Sequence, residues 1–338
     1  MDAISDRAFG ESSASTAANI HRVVDETPSL LTVILDLHPL AWKSCRETND
    51  KIDFRNVTAS MLVMMNSHLA LNSGNRVSLF IANSFSQGVK RVYPEETSLK
   101  DTIIEKDGSL LKSVGIYGQF KVLDENILDT LDKLFHNEPE RLRNIINEDD
   151  VFVKGTITGA ISRALSAINK LQKHEETLNM KARVLVISVS GDNTIPYVSM
   201  MNTIFAAQKM KISIDVCKLG EKSIFLQQTA DATNGVYMDI KYPNGLIQYL
   251  SNAFFIEPLL RPMIVLPSNT SVDFRASCFV TNKVVDIGYV CSVCLCILSV
   301  IPGDERCPTC HSPFEHSLVT KLKRKPKVLP LDVKRMKK

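Results

Sequence analysis

The chain alternates short, almost wholly apolar runs with longer segments in which apolar residues recur every three or four positions. The apolar runs are typical of strands covered on both faces, and they lie at 30–37, 76–83, 182–189 and 212–219. The amphipathic segments predict helices at 57–71, 156–171, 195–210 and 246–255. Strands that alternate with such helices predict an α/β fold with a doubly wound, mostly parallel sheet.

We expect this α/β domain to span residues 28–257. A polar, Ser- and Ala-rich leader at 1–27 precedes it, and its composition predicts an unstructured segment without the apolar block of a signal peptide. Inside the domain, residues 94–118 are charged and poorly periodic, which predicts a long surface insertion. A helical pattern returns at 124–147.

The domain is predicted to end where prolines interrupt the sequence at 257–267. A connecting segment at 258–290 follows, and its alternating residues predict a β-hairpin that turns at Asn282 and Lys283. We expect a small metal-binding module at 291–316 and a basic tail at 317–338.

Charge is divided unevenly along the 338 residues. Net charge is +3, but residues 321–338 carry nine Lys or Arg against Asp332, whereas the remaining 320 residues hold 31 basic and 36 acidic side chains. The longest apolar stretch, 289–302, is shorter than the roughly 20 residues that a membrane-spanning helix needs. No membrane association is therefore expected.

Five of the eight cysteines crowd into 20 residues, and four of them form two C-x-x-C pairs: Cys291 with Cys294, and Cys307 with Cys310. Two such knuckles complete a closed tetrahedral sulfur site, which predicts one structural zinc ion. The same ligands would suit a single iron, and a disulfide pairing is the other alternative. Cys296 would replace Cys294 as a ligand or pack in a small apolar core. A two-zinc RING finger needs eight ligands, more than this cluster offers.

Asp36 ends the first apolar run, where parallel sheets open their binding crevices. The metal-ion-dependent adhesion site of a von Willebrand A (vWA) domain would read Asp-x-Ser-x-Ser here, but this chain has His38 and Leu40 at the two hydroxyl positions. Thr156 and Ser190 stand where the other two loops would supply ligands. A degenerate site that holds no Mg²⁺ is predicted, because hard cations need oxygen ligands. We expect His38 to be a surface or partly buried imidazole and Thr156 to cap a helix.

Enzyme signatures are mostly missing: there is no GxGxxG, GxxxxGK[ST] or GxSxG. Gly220-Glu221-Lys222-Ser223 resembles the end of a phosphate loop without its upstream glycine, and chance or a helix start explains it better. The sequence therefore predicts a protein that is not an enzyme. The tail run with Lys323, Arg324, Lys325 and Lys327 is typical of nuclear import or polyanion contact, and a solvated charged terminus is the alternative.

Five segments carry a resemblance to a known family. They are 28–34 (PSLLTVI), 201–209 (MNTIFAAQK), 226–237 (LQQTADATNGVY), 272–278 (VDFRASC) and 288–295 (GYVCSVCL). In this order they resemble the smaller vWA and zinc-finger subunit of the transcription and DNA-repair factor TFIIH, from residue 28 to the tail.

The resemblance implies a vWA domain, four zinc-ligating cysteines and a nuclear, non-catalytic scaffold in the TFIIH core. Its vWA domain would dock the zinc-binding C-terminal domain of the larger vWA subunit, beside other core subunits, with DNA contact indirect or through the tail. A metal-dependent ligand-binding vWA module and a nucleic-acid-binding protein that uses its zinc module and tail are the alternative hypotheses.

Overall fold

The apolar runs of the sequence form the centre of a six-stranded sheet. In the computed structural model its strands are β1 (Ser29–Leu37), β2 (Arg76–Asn83), β3 (Val89–Tyr93), β4 (Lys181–Ser188), β5 (Ser213–Lys218) and β6 (Tyr237–Asp239). Their order is β3-β2-β1-β4-β5-β6; β3 runs antiparallel to β2, and the other four pairings are parallel. All nine residues of β1 are buried, because strands flank it and helices cover it. The predicted doubly wound, mostly parallel sheet is confirmed.

The structure describes residues 28–48, 52–84, 88–94, 118–137, 155–173, 180–192, 195–257, 260–264, 272–281, 283–301 and 305–314. Three predicted features fall outside these ranges: the leader at 1–27, nearly all of the insertion at 94–118 and the basic tail at 317–338 with its four candidate residues. Residues 138–147 of the helical pattern at 124–147 also lie outside the described residues. No described helix is long and apolar enough to cross a membrane.

Helices cover both faces of the sheet. One face packs against α1 (Pro39–Thr48), α2 (Phe54–Leu71), α3 (Gly118–Asn137) and α7 (Leu246–Tyr249), which continues as a π-helical turn at Leu250–Phe254. The other face packs against α4 (Ile157–Gln172), α5 (Tyr197–Met210) and α6 (Ile224–Ala232). These three layers place the carboxyl ends of the parallel strands along a single edge.

Four short or charged elements escape the sequence pattern. Helix α1 follows β1 after one residue and buries little beyond Cys45, so its apolar periodicity is weak. Strand β3 is a charged edge strand, β6 has three residues, and α6 has nine. Because these elements are short or lie at the edge of the sheet, none of them has the full apolar face that sequence patterns detect.

The amino end of the sheet is closed by the segment that follows α7. Arg183, which is buried, donates from Nη1 and Nη2 to the backbone carbonyls of residues 254–256 at 2.7–3.2 Å. Arg261 Nη2 lies 2.5 Å from Asp215 Oδ2, and both side chains are buried. These contacts hold the segment after residue 257 to the sheet, and the first compact unit of the chain accordingly extends over Met1–Phe274.

In the second unit, Arg275–Lys338, the described residues contain two short strands. Ser277 and Val284 form one isolated antiparallel bridge among the described residues, whereas Asn282 of the expected turn lies outside them. The residues just before Cys291 form β7 (Tyr289–Val290), which pairs with β8 (Ile297–Leu298) beyond the first knuckle. The residues before Cys291 therefore pair with the strand that follows the first knuckle, and not with the segment at 272–281 as the sequence predicted.

A buried histidine sits near the amino end of β1. His68 Nε2 lies 3.3 Å from both the carbonyl and the hydroxyl oxygen of Ser29, and Asn75 donates to the His68 carbonyl at 2.9 Å. Burial and, to a smaller extent, the charge of Arg183 lower the pKa of His68 from 6.5 to about 4, against the opposing effects of Ser29 and Glu257. His68 is therefore neutral in the folded protein at neutral pH.

The buried His68 predicts a loss of stability in mild acid. The unfolded chain takes up a proton at this histidine below pH 6.5, whereas the folded chain does so only near pH 4, so stability falls between these values. From pH 7.5 to 5.5 the free energy of unfolding should fall by about 1.4 kcal/mol through this group. Urea unfolding of the full chain, followed by fluorescence of the single tryptophan Trp42, measures it.

His68→Gln should remove this part of the pH dependence, because glutamine does not titrate. His136→Gln, at an exposed position in α3, is the control and should keep the wild-type dependence. An unchanged pH dependence in His68→Gln would contradict the assignment.

Candidate metal centre and the carboxyl end of the sheet

The two C-x-x-C knuckles of the second unit share one backbone geometry. Leu295 N–H donates to the Cys291 carbonyl and His311 N–H donates to the Cys307 carbonyl, each at 2.9 Å. Leu295 and His311, which each follow the second cysteine of a pair, adopt φ values of 59° and 58°. This tight turn directs both thiols of each knuckle to the same side.

The two knuckles bring four sulfur atoms together. Cys291, Cys294, Cys307 and Cys310 have their Sγ atoms within 4.8 Å of one another, and Cys296 is not part of the group. Cys291 Sγ lies 3.7 Å from Cys310 Sγ, and Cys294 Sγ lies 3.5 Å from Cys307 Sγ. A tetrahedral ion with metal–sulfur bonds of about 2.3 Å would hold its sulfurs about 3.8 Å apart, whereas a disulfide needs about 2.0 Å. The spacing fits a metal and not a disulfide.

Hydrogen bonds favour the thiolate at part of this cluster. The backbone of Cys294, the Ser312 hydroxyl and the backbone of Val293 lower the pKa of Cys291 to about 6. At Cys294 the backbone of Cys296 lowers the pKa, but burial and the neighbouring thiols raise it to about 12. Four thiolates this close repel one another, so all four ionise together only around a cation.

Ser312 is a residue that the spacing of the cysteines did not reveal. Its Oγ lies 2.9 Å from Cys310 Sγ and 3.5 Å from Cys291 Sγ, so one hydroxyl contacts a sulfur of each knuckle. Such contacts around the ligands orient them and tune a metal site.

Asp36 is the penultimate residue of β1, which lies between β2 and β4 where the sheet reverses its winding. Its Oδ2 accepts hydrogen bonds from the N–H groups of Val189 and Ser190 at 3.1 and 2.9 Å, and from the Ser190 hydroxyl at 2.5 Å. Its Oδ1 accepts from His38 N–H at 3.2 Å, and the side chain is buried. The carboxylate therefore joins the loops that follow β1 and β4.

Lys218, at the end of β5, places a cation beside this carboxylate. Its Nζ donates to the Ser190 carbonyl at 2.7 Å and lies 3.4 Å from the Ser188 hydroxyl, which itself donates to Asp36 at 3.4 Å. Lys218 is fully buried. Burial lowers its pKa to about 8, against the opposing effect of Asp36 and other nearby acidic groups, so the ammonium persists at pH 7.

The other predicted site residues are used locally. His38 directly precedes α1, and its imidazole accepts a hydrogen bond from Ala41 N–H at 3.3 Å in the first turn of that helix. The side chain is buried rather than exposed. Thr156 precedes α4 as expected, but its hydroxyl makes no capping bond and lies 3.4 Å from the Ser84 hydroxyl. Ser223 is the N-cap of α6, and its hydroxyl accepts from Leu226 N–H at 3.2 Å. Asp192, which the sequence did not single out, accepts from the Ser223 hydroxyl and from Ile224 N–H at 2.7 Å.

These residues do not fit the magnesium ion that vWA folds can carry. A hard cation needs free oxygen ligands. Here Asp36 Oδ1 accepts a hydrogen bond from a backbone N–H group, and Asp36 Oδ2 accepts from the N–H and the hydroxyl of Ser190. Lys218 adds a positive charge at the same place. The carboxyl end of the sheet is a closed hydrogen-bonded network of protein groups.

A groove of about 690 Å³ opens on the outer side of this network, between α4 and α5. Small side chains line it, among them Thr156, Ser162, Ser166 and Asn202. These small side chains would let the backbone of another molecule approach the groove closely.

Comparison with known proteins gives the same family over most of the chain. The family model described as Transcription factor Tfb4 matches residues 28–311. The general transcription and DNA repair factor IIH subunit TFB4 of Saccharomyces cerevisiae is 43% identical, over 99% of this chain and 98% of that protein. The subunit of the same name in Arabidopsis thaliana is 32% identical, over 86% of this chain and 90% of that protein.

Among solved structures, the crystal structure of the TFIIH p34 N-terminal domain is similar to the first unit. The TM-score is 0.52 at 28% identity, and the match covers 68% of this chain and 98% of that domain. This chain therefore resembles TFIIH subunits both in sequence and in fold.

The network around Asp36 predicts a large effect of Asp36→Asn. The substituted amide presents an NH₂ group to backbone donors and leaves the Lys218 charge unbalanced, so the free energy of unfolding should fall by about 3 kcal/mol. Urea unfolding read by Trp42 suits the test, because Trp42 Nε1 donates to the Asp36 carbonyl at 2.8 Å. Asp53→Asn, at the exposed cap of α2, is the control and should cost less than about 0.5 kcal/mol, since Asn also caps helices. Equal effects of the two changes would contradict the role of Asp36.

Proposed function

We infer the function from one premise: the chain belongs to the transcription factor Tfb4 family. We propose that it is a structural, non-catalytic subunit of the general transcription and DNA repair factor IIH. In this role it acts in the nucleus, in transcription initiation and nucleotide excision repair. The match along almost the whole length of the yeast subunit is the observation that carries the proposal.

The geometry supports a subunit that works through contacts with proteins. At the carboxyl end of the sheet, where α/β folds bind small ligands, Asp36 and Lys218 are engaged with protein groups. The second unit exposes Ile287, Val293 and Val300, each to more than two thirds. Apolar side chains this exposed are typical of surfaces that a partner covers.

We propose that the vWA-like domain at residues 28–257 docks the zinc-binding C-terminal domain of the larger vWA subunit of the same complex. The groove between α4 and α5 is the face that we assign to this contact. Its small side chains permit a close approach, and α5 also exposes Val198 and Phe205 to 50% and 57%. Because the acidic and basic charges of the first 320 residues nearly balance, shape and apolar contact would dominate the docking.

Two alternative functions differ in their support. A metal-dependent ligand-binding module would need an open site at Asp36, and the hydrogen bonds there argue against it. Binding of nucleic acid through the tail with Lys323, Arg324, Lys325 and Lys327 stays a prediction, as does nuclear import through the same residues, because the tail lies outside the described residues.

We propose that the module at 291–316 holds one structural zinc ion. Four sulfur ligands in a closed tetrahedral arrangement suit zinc, and a closed site leaves no position for substrate. Its chemistry would be to stabilise the fold of the second unit, since closed zinc sites supply folding free energy directly.

The zinc proposal predicts one zinc per chain in protein purified without chelators. Cys307→Ser should lower the zinc content well below one and loosen the second unit, because a hydroxyl is a poor ligand for this ion. Cys296→Ser is the matched control and should keep one zinc, since Cys296 is not part of the sulfur cluster. Mass spectrometry of metal content and limited proteolysis measure both effects. A content near zero in the wild-type protein, or equal loss in both variants, would contradict the proposal.

The docking proposal predicts stoichiometric co-purification when the full chain is co-expressed with a tagged larger vWA subunit. Ser166→Arg, in the groove, should reduce the recovered chain at least about tenfold, because a long charged side chain blocks close approach. Leu128→Arg is the matched control and should leave recovery unchanged, because Leu128 is an exposed residue of α3, on the face of the sheet opposite the groove.

Failure of the wild-type chain to co-purify would contradict the docking itself. Wild-type recovery together with full recovery of Ser166→Arg would contradict the assignment of the groove.

A further inference from the structure

The vWA fold implies a cation at the carboxyl end of its sheet, and the residues of this chain do not fit a metal ion there. We propose that the ammonium group of Lys218 replaces the metal as a built-in structural cation of this domain. The inference goes beyond the proposed function, because it concerns how the domain is held together and not what it binds.

The position of Lys218 supports this role. Its side chain is among the largest fully buried ones in the described residues, and it extends from the end of β5 to the loop after β4. There Nζ donates to the Ser190 carbonyl at 2.7 Å. Ser190 is also the residue whose N–H and hydroxyl bind Asp36. One residue of the β4 loop is therefore held by the anion of β1 on one side and the cation of β5 on the other.

A second path joins the same two charges. The Ser188 hydroxyl donates to Asp36 Oδ2 at 3.4 Å and lies 3.4 Å from Lys218 Nζ. The carboxylates of Asp36, Asp192 and Glu221 act electrostatically on the ammonium and favour its charged form. A metal ion in such a crevice would bind oxygen atoms from its walls, and the ammonium does so here by donating hydrogen bonds to two oxygens at the end of β4.

Truncation of Lys218 should leave a cavity with the shape and the hydrogen-bond acceptors to bind a small alkylammonium ion. Lys218→Ala deletes three methylene groups and the ammonium, which together correspond to n-propylammonium. A buried carboxylate that loses its cation is strongly destabilised, so the folding equilibrium constant should fall about a hundredfold or more. Added n-propylammonium should restore stability with a saturable dependence on its concentration, because it binds the folded state of the variant.

The experiment uses the full chain at pH 7 and constant ionic strength, with urea unfolding read by Trp42 fluorescence. Neutral 1-propanol and the donor-free tetramethylammonium ion are the ligand controls, and neither should rescue Lys218→Ala. Lys181→Ala, at the exposed start of β4, is the matched variant and should respond to none of these compounds. Wild type should not be stabilised by n-propylammonium.

A second variant keeps the test decisive if Lys218→Ala does not fold. Lys218→Met retains the packing volume without the charge, and it should be destabilised without any rescue by n-propylammonium. A Lys218→Met protein as stable as wild type would overturn the proposal. So would a folded Lys218→Ala protein that n-propylammonium fails to stabilise, or specific stabilisation of wild type by Mg²⁺.

Discussion

The fold of the first unit depends on how the buried charge at the carboxyl end of β1 is satisfied. Asp36 lies where the sheet changes winding direction, so loops leave it toward opposite faces and no strand ladder holds them together. The carboxylate joins these loops by accepting backbone N–H and hydroxyl groups, and Lys218 supplies the opposite charge from β5. Because a buried charge is costly unless it is paired and hydrogen-bonded, this network fixes three strand ends at once.

The two units balance their clustered negative charges in different ways. The first surrounds one carboxylate with its own donors and its own ammonium, whereas the second gathers four thiols that cannot all ionise without an added cation. Among the described residues, the polar groups around Asp36 bond to one another, and the four sulfur atoms face one another. This arrangement agrees with a subunit of a large complex whose function lies in its protein contacts.

Much of this organisation could be predicted from the sequence, because continuous apolar runs and the C-x-x-C spacing are local signals. The central strands, the main helices and the four clustered cysteines fall where the pattern indicates, and the family that the resemblance suggested is confirmed. The role of Lys218 could not be predicted, since a lysine inside an apolar strand shows its partner only once β4 and β5 are in register. Asp192 and Ser312 likewise act on residues distant in sequence or on the far side of a turn. Thr156 was expected to cap α4, and tertiary contact with Ser84 replaced that local bond.

We propose a metal ion in the cysteine module, whereas protein groups occupy the crevice beside Asp36. Anomalous diffraction from crystals of the full chain grown with Mn²⁺, recorded at the zinc and manganese absorption edges, tests both halves in one measurement. We expect one zinc peak among Cys291, Cys294, Cys307 and Cys310 and no manganese peak beside Asp36. A manganese peak at Asp36, or cysteines without a zinc peak, would contradict it.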